Sequence, residues 1–184
     1  MNYCENCAIG MYNRKHHNLQ GTGNPWTGMC IVVPNADYGA YKIGDMSFSK
    51  QVEVIVNILS SSTGDVLSKL YIVPLIRCNE KISCPLDNIS YNKCLHWLAE
   101  DMRKYQFKDI MLLGSAAQRF LNCGISDNLN KVFVSKHNKR YTVNYAPFIS
   151  YLDSNKGDIF KENLTKWYNS IINENFSNYE IVKV

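Results

Sequence analysis

Short apolar runs alternate along the chain with segments in which apolar residues recur every three or four positions. Met29 to Val33 (MCIVV), Leu70 to Ile76 (LYIVPLI) and Asp109 to Gly114 (DIMLLG) read as buried strands. After the first of these a Gly- and Asn-containing loop is expected, then a helix near Ser49 to Leu59. A second helix is predicted from Ser90, where Tyr91, Cys94, Leu95, Leu98, Met102 and Tyr105 form one apolar stripe with Lys93, Glu100 and Lys104 outside it. Gly114 breaks the third strand and leads into the short helix SAAQRFL. The run KVFVSKHNKRYTVNYA alternates on both sides of His137-Asn138, which predicts two strands joined by a basic turn. A last helix is predicted over Gly157 to Asn173, with Phe160, Leu164, Trp167 and Ile171 on one face, and residues 175–184 are expected to be loosely held. This alternation is the signature of an α/β domain with a largely parallel sheet. No repeat, low-complexity tract or linker argues for a second domain, so residues 1–184 are read as one.

Composition adds little to that picture except through cysteine. The 184 residues are 46% hydrophobic, enough for one sizeable core, and 20 Lys and Arg against 16 Asp and Glu leave +4, which permits nucleic-acid binding without requiring it. No apolar run is long enough to span a bilayer, and the opening MNYCENCAIGMYNRKHH is too polar for a secretory signal. A cytoplasmic or nuclear protein is the expectation. The abundance of Asn, Lys, Ile and Tyr points to an AT-rich genome such as that of a virus or phage, in which case the compartment is the host cytoplasm.

Seven cysteines occur: Cys4, Cys7, Cys30, Cys78, Cys84, Cys94 and Cys123. In a reducing compartment a disulfide framework is not expected, and the odd count would leave one thiol over, so metal or cluster ligation is the sharper reading. Cys30 and Cys123 lie in apolar surroundings and read as small core residues. Cys4 and Cys7 form a C-x2-C, a spacing shared by zinc sites, redox pairs and clusters. Cys78 follows the second strand and Cys94 lies early in the next helix, with fifteen residues between them, so a folded βα unit would bring both to one edge of the sheet.

With these four cysteines the sequence resembles the iron-sulfur uracil-DNA glycosylases, the fourth family of the uracil-DNA glycosylase superfamily. The family's C-x2-C is matched by Cys4-Glu5-Asn6-Cys7, its basic-Cys pair by Arg77-Cys78, and its fourth cysteine by Cys94. Gly21-Thr22-Gly23-Asn24-Pro25 is similar to its lead-in to the first strand, and Leu112-Leu113-Gly114-Ser115-Ala116-Ala117 to its L-G-x-x-A turn. The likeness runs over roughly residues 1–170. It implies a three-layer α/β/α fold with a central, mostly parallel four-stranded sheet. It also implies a [4Fe-4S] cluster held by Cys4, Cys7, Cys78 and Cys94; four thiolates suit a structural zinc equally by spacing.

A glycosylase must extrude a nucleotide, read the base and activate a water or stabilise the sugar cation. The positions that the resemblance assigns to these tasks are altered. The family's G-E-A-P-G, whose carboxylate activates water, is matched by Pro34-Asn35-Ala36-Asp37-Tyr38, so Asn35 stands for Glu and cannot take a proton. Asp37 is a candidate substitute; alternatively Pro-Asn-Ala-Asp is turn chemistry in which side chains cap their own backbone. The base-reading Asn is matched by Pro74, which has neither a side-chain donor nor an N–H. The His of H-P-x-x-L is matched by Ala146. The Phe that stacks on the flipped base is matched by Phe48, which also reads as the apolar lead-in of a helix.

Phosphate contact needs only basic and small polar groups on one face. Lys136, Lys139 and Arg140 around the late turn, and Arg14-Lys15-His16-His17, are candidate patches, with a solvated turn as the plain alternative. Phe148, Tyr151 and Leu152 fall where the family places its DNA-wedging loop, although such spacing also suits a core. The expected function is a glycosylase-like iron-sulfur protein without uracil excision, serving as a DNA-binding or protein-binding accessory factor in DNA transactions. The alternative is an active glycosylase for uracil or another modified base.

Overall fold

The computed structural model describes residues 19–77, 88–117, 131–134, 140–146, 155–177 and 179–183. Its strands are β1 (Thr22–Gly23), β2 (Met29–Asn35), β3 (Tyr71–Ile76), β4 (Asp109–Leu113), β5 (Lys131–Val134), β6 (Arg140–Ala146) and β7 (Glu180–Lys183). Its helices are α1 (Tyr38–Ile43), α2 (Lys50–Leu59), α3 (Asn88–Tyr105) and α4 (Asn155–Ile172). The strands form one seven-stranded sheet in the order β1-β3-β2-β4-β6-β5-β7.

The sheet is mixed. β2 pairs in parallel with both β3 and β4, and β4 in parallel with β6, whereas β1 and β5 run antiparallel to their neighbours β3 and β6. The α/β class expected from the sequence is therefore the class adopted, in a sheet wider than the four strands expected. The added width comes from short edge elements. β7 pairs in parallel with β5, so part of the tail expected to hang loosely is an edge strand.

Side-chain alternation along the central strands divides the core in two. Met29, Ile31 and Val33 of β2 and Met111 and Leu113 of β4 pack with Val52, Ile55 and Leu59 of α2 and Phe160, Leu164, Trp167 and Ile171 of α4. Cys30 and Val32, with Ile110 and Leu112, face the opposite way and pack with Leu98 of α3 and Phe107. Helices thus cover both faces, and for that reason the strands carry apolar residues without interruption. The α4 face read from sequence is the buried one. Cys30 is a core residue at 1% exposure; Cys123 lies outside the described residues.

One segment read as a loop is a helix. Tyr38–Ile43 has weak helical character of its own, and Asp37 supplies its cap by accepting from Ala40 N at 3.0 Å. Gly44, at φ 83°, closes it in the left-handed conformation that glycine adopts most readily. No helix among the described residues is long and apolar enough to cross a membrane.

Candidate functional site

The carboxyl ends of β2, β3, β4 and β6 lie side by side, the usual location for a site in an open α/β sheet. Ala36 N donates to Ile76 O at 3.0 Å, and Gly114 N to Ala146 O at 2.9 Å, so the strand ends are locked in pairs. Of the loops leaving this edge, the one after β2 is described throughout.

That loop brings together three of the residues singled out from sequence. Asn35 ends β2, half-buried, with its amide Nδ2 at 3.5 Å from Ala36 O. Asp37 is held on both oxygens: Oδ1 accepts from Ala40 N, and Oδ2 accepts from Ser49 Oγ at 2.6 Å. Ser49 in turn accepts from Gln51 N at 3.1 Å, capping α2, and Gln51 Nε2 donates to Asn35 O at 3.2 Å. Phe48 precedes Ser49 in a single 3-10 turn, Met46–Phe48, and is 59% exposed. The packing is tight: a Cβ added at Gly39 would lie 3.4 Å from both Asp37 Oδ1 and Phe48 O. Asp37 therefore performs the capping chemistry offered as its alternative reading, and Phe48, directly before the Ser49 cap, is the exposed lead-in to α2.

Ser49 and Gln51 were not singled out from sequence. A Ser directly before an apolar helical run is a cap signal, but its bond to Asp37 joins residues twelve apart and leaves no local trace. Gln51, 8% exposed, leaves Oε1 without a partner among the described residues.

The two other altered positions are filled rather than open. Pro74 is buried inside β3, opposite Val33 of β2. Ala146 is fully buried in the core shared with α2 and α4. Neither lines a described cavity.

Among the cluster cysteines, Cys94 is the one whose side chain is described, and it is 4% exposed. Helical spacing places Cys94, Leu98 and Asp101 along one buried face of α3. The same face receives Arg77, the residue before Cys78: its buried guanidinium pairs with Asp101 and donates to Trp97 O at 3.4 Å. The chain entering Cys78 is thus pinned to the helix that carries Cys94, an arrangement that suits a shared thiolate centre. Cys4, Cys7 and Cys78 lie outside the described residues, among which no group of three or more His, Cys, Asp or Glu side chains is placed to hold a metal ion.

Of the basic patch, Lys136 and Lys139 lie outside the described residues, as do Phe148, Tyr151, Leu152 and Arg14 to His17. Arg140 begins β6. Its Nη2 donates to Asp109 Oδ2 at 3.1 Å, and the guanidinium carbon sits 4.2 Å from the centre of the Phe176 ring. Burial raises the Asp109 carboxyl above its ordinary range, while the bonds from Thr142 Oγ1 at 2.8 Å and from Arg140 oppose the shift. No protein-family model matches the chain, and no curated protein matches it in sequence.

Proposed function

We propose that the chain is a uracil-DNA glycosylase-like domain that binds DNA as an accessory factor without excising uracil. The observation that carries the proposal is the commitment of Asp37. Two carboxylates lie between β2 and α2: both oxygens of Asp37 accept structural hydrogen bonds, from Ala40 N and Ser49 Oγ, and Asp45 caps the 3-10 turn by accepting from Ser47 N. These bonds fix the orientation of the Asp37 carboxylate for capping and weaken it as a base, because both donors favour its ionised form. Asn35 beside it has no basic group, and Ala146 has no donor for a departing base.

The parallel core β3-β2-β4-β6 with helices on both faces supports the glycosylase-like part of the reading. Exposed Phe48 next to that loop supports retained contact with an unstacked base. A [4Fe-4S] cluster on Cys4, Cys7, Cys78 and Cys94 would tie the chain's first segment to the β3-α3 unit as a structural staple. The test is incubation of the full chain with single- and double-stranded DNA containing uracil. DNA is expected to bind and to emerge without abasic sites; efficient base release would overturn the reading and return Asp37 to the candidate catalytic groups.

A further inference from the structure

The opposite edge of the sheet carries a second constellation, built by the amino-terminal ends of β2, β4 and β6. The seven residues of β2 separate it from the Asp37 loop by about 20 Å. A cavity of about 920 Å³ opens there, in the size range of ligand sites. Arg103 reaches it from the last turn of α3, Lys108 from the connection to β4, and Arg140 from the start of β6, with Tyr141 beside them. No acidic side chain is among its described lining residues, and the neighbouring Asp109 is occupied by Arg140 and Thr142.

Cations in the last turn of a helix often serve only to offset its carbonyl dipole. That explanation covers Arg103 and leaves Lys108 and Arg140, which come from other elements. The chain turns sharply to place them: Gln106 closes α3 at φ 53° and donates to Met102 O at 2.9 Å, after which Phe107 is buried and Lys108 exposed.

Aromatic rings lead from this cavity to solvent. Phe107 lies in the cavity wall, with Tyr105 at 5.8 Å between ring centres. The edge-on ring of Trp26 follows at 5.0 Å from Tyr105, and Trp26 is 69% exposed. Lys104 Nζ lies 4.7 Å from the centre of the Tyr105 ring. Gly28 N-terminal to β2 holds the two halves together, its carbonyl accepting from Lys108 N at 2.8 Å and Asp109 N at 3.0 Å.

We infer that this amino edge binds single-stranded nucleic acid, with Arg103 and Lys108 contacting backbone phosphates, Arg140 held beside them by Asp109, and exposed Trp26 stacking on a base. Converging cations with no carboxylate among the described lining residues match a phosphate chain, and an exposed indole contiguous with them matches the flat face of an unpaired base. The site does not depend on the glycosylase-like reading, since it shares no residue with the Asp37 and Phe48 loop.

The full chain titrated into a fluorescent oligothymidylate should bind, with an affinity that falls steeply with salt. Arg103→Glu/Lys108→Glu, both exposed positions, should weaken binding roughly tenfold or more and flatten the salt dependence, with an unchanged circular dichroism spectrum. Trp26→Ala should weaken it by roughly fivefold or more while the salt dependence stays the same. Lys161→Glu/Lys166→Glu on α4 should bind like the parent. Absence of binding by the parent, or parent-like binding by the Arg103/Lys108 variant, overturns the inference. Displacement of the oligomer by free thymidine monophosphate at equal concentration overturns the strand in favour of a small phosphate ligand.

Discussion

Ser49 Oγ donates to Asp37 Oδ2 at 2.6 Å, so that one carboxylate joins the caps of two successive helices. Asp37 caps α1 through Ala40 N, and Ser49 caps α2 through Gln51 N. The link fixes the intervening turn, and exposed Phe48 lies directly before Ser49 at its end. A group that orders its own loop in this way is exchanged for another acceptor at low cost and deleted at high cost.

The expected stability effects follow from that asymmetry. Asp37→Ala removes the α1 cap and leaves the Ser49 hydroxyl without its acceptor, a loss of about 1–3 kcal/mol in urea unfolding. Asp37→Asn keeps one carbonyl oxygen for the cap and should cost less than half of that. If Asp37 were instead a general base, Asn would abolish base release while sparing the fold, so the two substitutions measured together separate the roles.

The Arg77–Asp101 pair makes a different prediction because both side chains are almost completely enclosed, 4% and 10% exposed. Asp101→Ala leaves a buried guanidinium without its counter-charge and should destabilise the chain by about 3–5 kcal/mol. Replacing both partners with apolar residues, Arg77→Met/Asp101→Leu, should recover most of that loss. Thermal unfolding of the two variants and the parent reads the difference. A double variant as unstable as the single one would show that the Arg77 bond to Trp97 O carries more than the ion pair.

Asp109 predicts a pH dependence. Its carboxyl is raised above the ordinary aspartate range, chiefly by burial, so the folded state holds the proton more tightly than the unfolded chain does. Stability from this group therefore falls as pH rises from the unfolded value through the folded one. Relative to Asp109→Asn, the parent should gain stability as pH is lowered through that window and show a constant difference above it. Parallel denaturant titrations of both proteins check the sign, and a parent that loses ground to Asp109→Asn on acidification contradicts it.

The strands buried on both faces and the α4 stripe of Phe160, Leu164, Trp167 and Ile171 were legible because each pattern is local and repeats within a few residues. α1 was not, because its formation depends on a cap from Asp37 that is itself held by Ser49, twelve residues on. The edge strands β1 and β7 have two and four residues, too short to show a period, and are defined by partners distant in sequence. In the candidate site the order of motifs located Asn35 and Asp37, yet the role of Asp37 could be read only from its partners. Sequence reading picked out Arg140 but not the cavity at the amino edge, since its walls join the end of α3 to the start of β6, segments far apart in the chain.

Cys94 and Cys30 offer a matched pair for the cluster proposal. Both thiols are buried, at 4% and 1% exposure, but they occupy different settings. Cys30 lies in the middle of the sheet between Met29 and Ile31, where burial pushes its thiol pKa upward, the condition of an inert core thiol. Cys94 lies on the α3 face to which Arg77 pins the chain that enters Cys78. Anaerobic purification should yield a brown protein containing iron and acid-labile sulfide. Cys94→Ala should remove the colour together with the iron, while Cys30→Ala keeps the colour and loses about 1 kcal/mol of stability through a small cavity. Stoichiometric zinc without iron or sulfide would replace the cluster with a tetrahedral thiolate site on the same residues, and colour that survives Cys94→Ala would remove Cys94 from the ligand set.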